Sequence, residues 1–361
     1  MKNRELSKFL IKFSIGLSAV ALVFSFNYVI DPLQFYRLST LTNPELYNEE
    51  RYQNPALARN YDYNSVILGS SLTQNFSPAY ANKLLGYKTL KLSTSGATIY
   101  EQRELLDLAF RKKDISNVIW CTDYSSLIGS PSAVKESGGE YPSYLYDNNP
   151  INDFKYIINY NTFELSIYAI QRTFLKDAPK LDAQLETYHR WGKNNNEFGK
   201  EKALKKYSAI CTYKLKDNKL GGYSWDAVKN NIDLNVISVV KAHPETNFKL
   251  FFPPYSVLAH KYYSYINPNI LDIEMHAKLY LATELDSCKN VQIYDFQGIK
   301  DIILNLDNYR DTTHYKPYVN SFMLDCMKNG KYLVKLDGYE EELTKFKELI
   351  RSYTPEKLVT K

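Results

Sequence analysis

Apolar and polar positions alternate along this chain in two different ways. The first is a single unbroken run: Phe13 to Ile30, "FSIGLSAVALVFSFNYVI", holds no charged residue. Wound as a helix it spans roughly 27 Å, enough to cross the hydrocarbon layer of a membrane once. Lys2, Arg4, Lys8 and Lys12 precede it against the single Glu5. Such a basic flank stays in the cytoplasm, which puts everything after Asp31 on the outer side. A cleaved signal peptide and the buried first helix of a soluble protein share parts of this pattern. The exit "SFNYVIDPLQFYR" offers no small-x-small cleavage site and sets aromatics at the boundary, so an uncleaved anchor is the expectation.

Beyond the anchor the apolar runs are short and end in glycine, serine or proline. "SVILGSSLTQNF" predicts a buried strand at Val66 to Leu68, a sharp turn and a polar helix start. "KTLKLSTSGATIYEQRELLDLAF" repeats the plan, with a strand near Thr89 to Leu92, a small-residue turn through Gly96 and a helix of 3.6-residue period. "ISNVIWCTDYSSL", "NFKLFFPPYSVLAH" and "VQIYDFQGI" supply three more strand-to-loop passages, with a helical stretch across "DIEMHAKLYLATEL". Strands alternating with helices predict an α/β fold with a mainly parallel central sheet, whose site lies in loops at the carboxyl ends of strands.

The resulting division is a cytoplasmic tail at 1–12, the anchor at 13–30, a stalk and lead-in at 31–60, an extracytoplasmic domain at 61–345 and a C-terminal tail at 346–361. Gly/Pro/Ser/Tyr-rich and Asn/Lys-rich text from about 129 to 222 breaks the rhythm and reads as a partly helical insertion or lid, with one helix in "FELSIYAIQRTFL". The chain after the anchor is long enough to bury a substantial core.

Charge narrows the partners. The formal net charge is +5, and the tail before the anchor supplies most of it. No basic stripe remains for nucleic acid. The 32 Tyr and 17 Phe suit an aromatic cleft for sugars and equally suit ordinary packing. Cys121, Cys211, Cys288 and Cys326 have no C-x-x-C spacing, so they are free to pair outside the cytoplasm or to stay buried thiols. His189, His243, His260 and His276 lack metal-ligand spacing, and neither a metal nor a cofactor is expected.

Chemistry enters with "NLDNYRDTTHYKPYVN", where Asp311 and His314 stand three apart after the last strand. A serine needs a base to take its proton and an acid to orient that base. Ser71, after the first strand, is the candidate nucleophile, His314 the base and Asp311 its partner. Backbone room for an oxyanion would come from the turns at Gly69 and Gly96. The competing readings are a helix cap at Ser71, and Asp311 capping the helix that starts near Lys316. Tyr315 and Pro253–Pro254 are expected in the cleft walls.

In order, "ILGSSLTQNF", "KLSTSGATIYEQ", "VIWCTDYSSL", "LFFPPYS" and "NYRDTTHYKPYVN" resemble the blocks of the SGNH/GDSL hydrolase superfamily. The likeness is greatest to its membrane-anchored branch, which includes the D-alanyl-lipoteichoic acid biosynthesis protein and the alginate acetylation proteins. It covers most of residues 60–330, leaving the middle insertion unmatched. Ser71 falls at the nucleophile position, Ser70 where many members have aspartate, Gly96 in the glycine block, and Asp311 with His314 on the terminal D-x-x-H. The chain departs from the pattern at "CTDYSS", which has Asp123 and Tyr124 but no oxyanion asparagine. Either another donor serves there or the oxyanion hole is incomplete. An ionised Asp123 would oppose an oxyanion, so a structural or positioning role suits it better.

The resemblance implies an SGNH-like three-layer sandwich and a serine acyltransferase or esterase, moving D-alanyl or acetyl groups on a cell-envelope glycopolymer. It also implies a multi-pass membrane O-acyltransferase or acyl carrier system as partner, alongside the bilayer around residues 13–30. The alternative is a noncatalytic assembly protein that uses the same cleft to hold a polymer or a membrane partner.

Overall fold

The computed structural model describes residues 2–43, 45–135, 140–174, 180–212 and 221–356. Parts of the expected insertion and the last five residues of the expected tail lie outside the described residues. The chain forms two compact units: residues 1–61 with 141–185, and residues 62–140 with 186–361.

The larger unit is built on a parallel sheet of five strands, β1 (Ser65–Gly69), β2 (Thr89–Ser93), β3 (Asn117–Cys121), β4 (Asn247–Phe252) and β5 (Val291–Asp295). Their order across the sheet is β2-β1-β3-β4-β5. β1, at the centre of the first three strands, is buried along its whole length. Its continuous apolar run, rather than an alternating one, is what a strand covered on both faces requires. The registers Leu68↔Leu92 and Leu68↔Trp120 bring the carboxyl ends of β1, β2 and β3 level, so the three following loops emerge side by side.

Helices join and cover these strands. Ile99–Lys112 starts on a capping box, with Thr98 Oγ1 accepting from Glu101 N and the Glu101 carboxylate accepting from Thr98 N. It packs on β1 and on the turn Asp233–Ile237, inside a helical run that begins at Trp225; that run meets Pro268–Leu285, which meets Leu336–Ser352. Pro78–Leu85 packs instead on β2 and on Pro317–Lys328, tied by a 2.6 Å hydrogen bond from the Tyr80 hydroxyl to Asp325. The expected tail at 346 needs correcting: Phe346 and Ile350 are buried within Leu336–Ser352, which belongs to this unit.

The smaller unit holds the N-terminal helix, Lys2–Ile30, which is long and apolar enough to cross a membrane. The helix begins before the apolar run and includes the basic flank. Its C-terminal end is not followed by a free stalk. Asp31 accepts hydrogen bonds from the amides of Phe35, Tyr36 and Arg37 and from the Tyr156 hydroxyl, which pins the chain leaving the helix. Residues 141–185, read from sequence as part of an insertion, group with these N-terminal residues because Tyr156, Ile157 and Ser166 bond to Leu33, Asn27 and Asp31. All four cysteines are free thiols.

Candidate active site

The strand order places a crevice where β1 is flanked by β2 on one side and β3 on the other, with connections leaving in opposite directions. Open α/β sheets bind ligands at such a switch point, outside the carboxyl ends of the strands. At the end of β1 the backbone passes close to β3. A Cβ at Gly69 would lie 2.6 Å from Thr73 Cγ2 and 2.8 Å from Cys121 Cβ, so only glycine fits. The chain then enters a short 3-10 turn, Ser71–Thr73, closed by Thr73 N and Thr73 Oγ1 donating to Ser70 O.

Ser71 Oγ lies 2.8 Å from His314 Nε2. On the far side of the ring, His314 Nδ1 is 2.7 Å from Asp311 Oδ2. An ionised carboxylate only accepts hydrogen bonds, so Nδ1 carries the proton and Nε2 presents its lone pair to the serine hydroxyl. That is the tautomer a general base requires. The spacing Asp-x-x-His makes this possible because the same carboxylate organises the turn: Asp311 Oδ1 accepts from Thr313 N at 2.9 Å and His314 N at 2.8 Å. Burial acts to raise the Asp311 pKa. The hydrogen bond and charge of His314, with the two backbone amides, outweigh it and hold the carboxyl at about 2.

Asp311 therefore closes its own turn and does not cap the following helix, as one reading of the sequence had it. That helix, Pro317–Lys328, has Lys316 at its N-cap and no side-chain cap. Ser71 likewise spends its hydroxyl on His314, and the residue at the cap position of its turn is Ser70.

The loop bearing the pair is held from three directions. Tyr309 and Tyr315 bridge across its base, the Tyr309 hydroxyl donates to Pro254 O at 2.7 Å, and Ser256 Oγ donates to Thr312 O at 2.6 Å. Tyr315 OH and Asn320 Nδ2 both donate to Leu72 O, next to the nucleophile candidate. Tyr315 is thus a buried strut rather than a wall of the cleft, and the double proline acts through its carbonyl.

The other residues singled out by sequence divide. Gly96 sits at φ +60° in a turn tied to the first loop, since Thr94 N donates to Gly69 O and Ser93 Oγ pairs with Thr73 Oγ1. The Lys135 ammonium lies against it: a Cβ at Gly96 would be 2.7 Å from Nζ. Asp123, directly beyond β3, is wholly buried and accepts from Ser70 Oγ at 3.2 Å, from Tyr255 OH at 2.8 Å and from Ser125 Oγ. Burial raises its pKa in spite of these three donors. It touches the nucleophile loop through Ser70 and not through Ser71. Tyr124 turns into the interior, edge-on to Tyr263 with ring centres 5.3 Å apart.

Trp191 had no signal in the sequence. Its indole Nε1 donates to Ser71 O at 3.2 Å, its amide donates to Asn75, and its ring stands edge-on to His314 at 5.2 Å. Arg310 lies 5.2 Å over the same indole. Trp191 also walls an open cleft of about 500 Å³ with Gly192, Lys193, Asn195, Lys316 and Tyr318. The residue sits in the polar text "RWGKNNNEFGK", where two aromatics scattered among Gly, Asn and Lys mark only a loop.

Among the described residues no cluster of His, Cys, Asp or Glu is arranged to hold a metal ion. What the arrangement offers chemically is a hydroxyl hydrogen-bonded to an oriented imidazole. No family model matches the chain, and comparison with curated proteins finds no match.

Proposed function

We propose that this protein is a membrane-anchored serine acyltransferase or esterase with an SGNH-like three-layer sandwich. The observation that carries the reading is the chain of contacts Ser71–His314–Asp311 at 2.8 and 2.7 Å, built from opposite ends of the larger unit. In this mechanism His314 Nε2 takes the Ser71 proton as Oγ attacks the carbonyl carbon of an acyl donor. The tetrahedral oxyanion is received by backbone amides at Ser71 and Gly96. Collapse of the intermediate expels the donor's alcohol or thiol, which leaves with the proton held by His314. An acceptor hydroxyl then gives its proton to His314 and attacks the acyl-serine, and collapse of this second intermediate returns that proton from His314 to the departing Ser71 Oγ. If that acceptor is water the outcome is hydrolysis.

By resemblance the acyl group is D-alanyl or acetyl, and the acceptor is a sugar or polyol of a cell-envelope glycopolymer. Trp191 and Tyr318 beside the 500 Å³ cleft are of the kind that stack on sugar rings. The basic flank before Phe13 favours the orientation with the larger unit outside the cell. A multi-pass membrane O-acyltransferase or an acyl carrier system would supply the donor.

The test is covalent labelling of the full chain in detergent with a fluorophosphonate, followed by peptide mass spectrometry. Labelling at Ser71 that disappears in S71A, persists in S70A and falls in H314A is expected. A folded protein that stays unlabelled, alone and with its native membranes, would support the polymer-holding assembly role instead.

A further inference from the structure

The smaller unit carries a dense group of exposed apolar side chains that the proposed chemistry does not use. Ile151, Phe154 and Tyr160 are 79%, 53% and 71% exposed, and Ile158, Ile167 and Tyr168 are open to solvent with them. A soluble surface rarely gathers so many large apolar groups within eighteen residues.

Their position along the N-terminal helix is fixed by contacts within the same unit. Asn27 Nδ2 donates to Ile157 O at 2.7 Å, and Ser166 Oγ donates to Asn27 Oδ1 at 3.0 Å. The Phe26 and Phe163 rings are 5.5 Å apart, and Tyr156 OH donates to Asp31 at 2.9 Å. The segments Phe154–Ile157 and Tyr160–Thr173 therefore lie beside residues 26–31 of the chain. From Phe13 to its end at Ile30 the helix spans roughly 27 Å, about the thickness of the hydrocarbon core. Asn27 then lies roughly 5 Å inside the outer boundary, within the depth reached by interfacial helices.

Two further features mark that boundary. Phe24, Tyr28 and Tyr36 form an aromatic series, with Arg37 4.7 Å over the Tyr28 ring and bonded to Tyr28 O. Amphipathic aromatics and arginine gather at headgroup level. On the exposed face of Tyr160–Thr173, Asn161 and Glu164 interrupt the apolar groups. That mixture suits a helix lying in the interface and would oppose one that spans the membrane.

We infer that Ile151–Tyr168 is a second membrane contact, an interfacial segment that inserts Ile151, Phe154, Ile158, Tyr160, Ile167 and Tyr168 into the outer leaflet beside the anchor. The occupant of this face is lipid, because the face continues the lipid-exposed surface of the apolar helix. The inference rests on reading Phe13–Ile30 as a membrane span. Its consequence is rotational: one helix alone leaves a protein free to tilt and spin about its axis, and a second contact removes much of that freedom.

The test uses the full chain in phosphatidylcholine–phosphatidylglycerol vesicles whose acyl chains carry a nitroxide quencher. An environment-sensitive fluorescent amino acid replaces Phe154, Ile158 or Ile167 one at a time, and Leu17 in a fourth protein. Quenching of at least twofold relative to nitroxide-free vesicles is expected at all four sites. Quenching at Leu17 with none at the other three would overturn the inference and leave the anchor intact, pointing to a protein partner for that face. No quenching at Leu17 would overturn the anchor reading, and the inference would fall with it.

Discussion

Ser71 and His314 are 243 positions apart, yet the hydrogen bond between them makes each dependent on the other. S71A should lower acyl-ester turnover by at least about 10³-fold, and D311N by a comparable factor because it frees the imidazole to take the wrong tautomer. Stopped assays on a chromogenic acetyl ester would read both. Trp191 offers a finer test. W191F keeps the ring against His314 but removes the indole donor to Ser71 O, so a loss of about 10-fold is expected, with W191A losing more.

The two carboxylates should respond to pH in opposite senses. Asp311 has its pKa lowered to about 2, against about 3.9 in an unfolded chain, so its ionised form stabilises the fold above pH 4 and this contribution is lost as pH falls toward 2. The stability gap between wild type and D311N should shrink by about 2 kcal/mol over that window in urea titrations. Asp123 has a raised pKa, so folding favours its protonated form, and the wild type loses stability as pH rises through the folded value. D123N removes that loss: its amide can donate to Ser70 while its carbonyl still accepts from Tyr255 and Ser125. D123N should therefore gain on the wild type as pH increases, and a constant gap would contradict a carboxyl whose pKa is raised by burial.

At the scale of elements, the strands and the Asp-x-x-His turn were legible because each is written locally. β1, β2 and β3 each end an apolar run at a small or polar residue, and one turn holds both members of the acid–base pair. What was not legible is assembled from distant places. Ser125 donates to Asp123 from its own loop, but the other two donors, Ser70 and Tyr255, come from loops 53 and 132 positions away, and no local pattern joins them. Trp191 escaped for the same reason, since its loop reaches Ser71 and Asn75 across 120 and 116 positions. The junction of β1 with its turn gives the sharpest element-level expectation. G69A must push Thr73 and Cys121 apart, which should cost about 1–3 kcal/mol by chemical denaturation and displace Ser71 as well. T98A, which removes the cap of Ile99–Lys112 and the hydroxyl's 2.6 Å bond to Ala133 O, should cost about 1–2 kcal/mol and leave turnover of the acetyl ester nearly unchanged, separating a stability effect from a site effect.

For the molecule as a whole, the notable feature is that the N-terminal helix is not a detachable tether. Asn27, buried near its C-terminal end, satisfies both Ile157 O and Ser166, and Phe26 packs on Phe163. A chain begun at Asp31, the obvious route to a soluble preparation, would remove all three contacts at once. Ile157 O would lose its donor, Ser166 would keep only its bond to Thr162 O, and Phe163 would face water. Unpaired polar groups and lost apolar burial each carry a penalty of order 1–3 kcal/mol, enough to loosen a short helical segment without unfolding the sheet. Hydrogen exchange by mass spectrometry should then show residues 154–173 exchanging at least 10-fold faster in the truncated chain than in the full chain in detergent, with β1 and β3 protected in both. Equal protection of 154–173 would mean that this segment stands without the N-terminal helix.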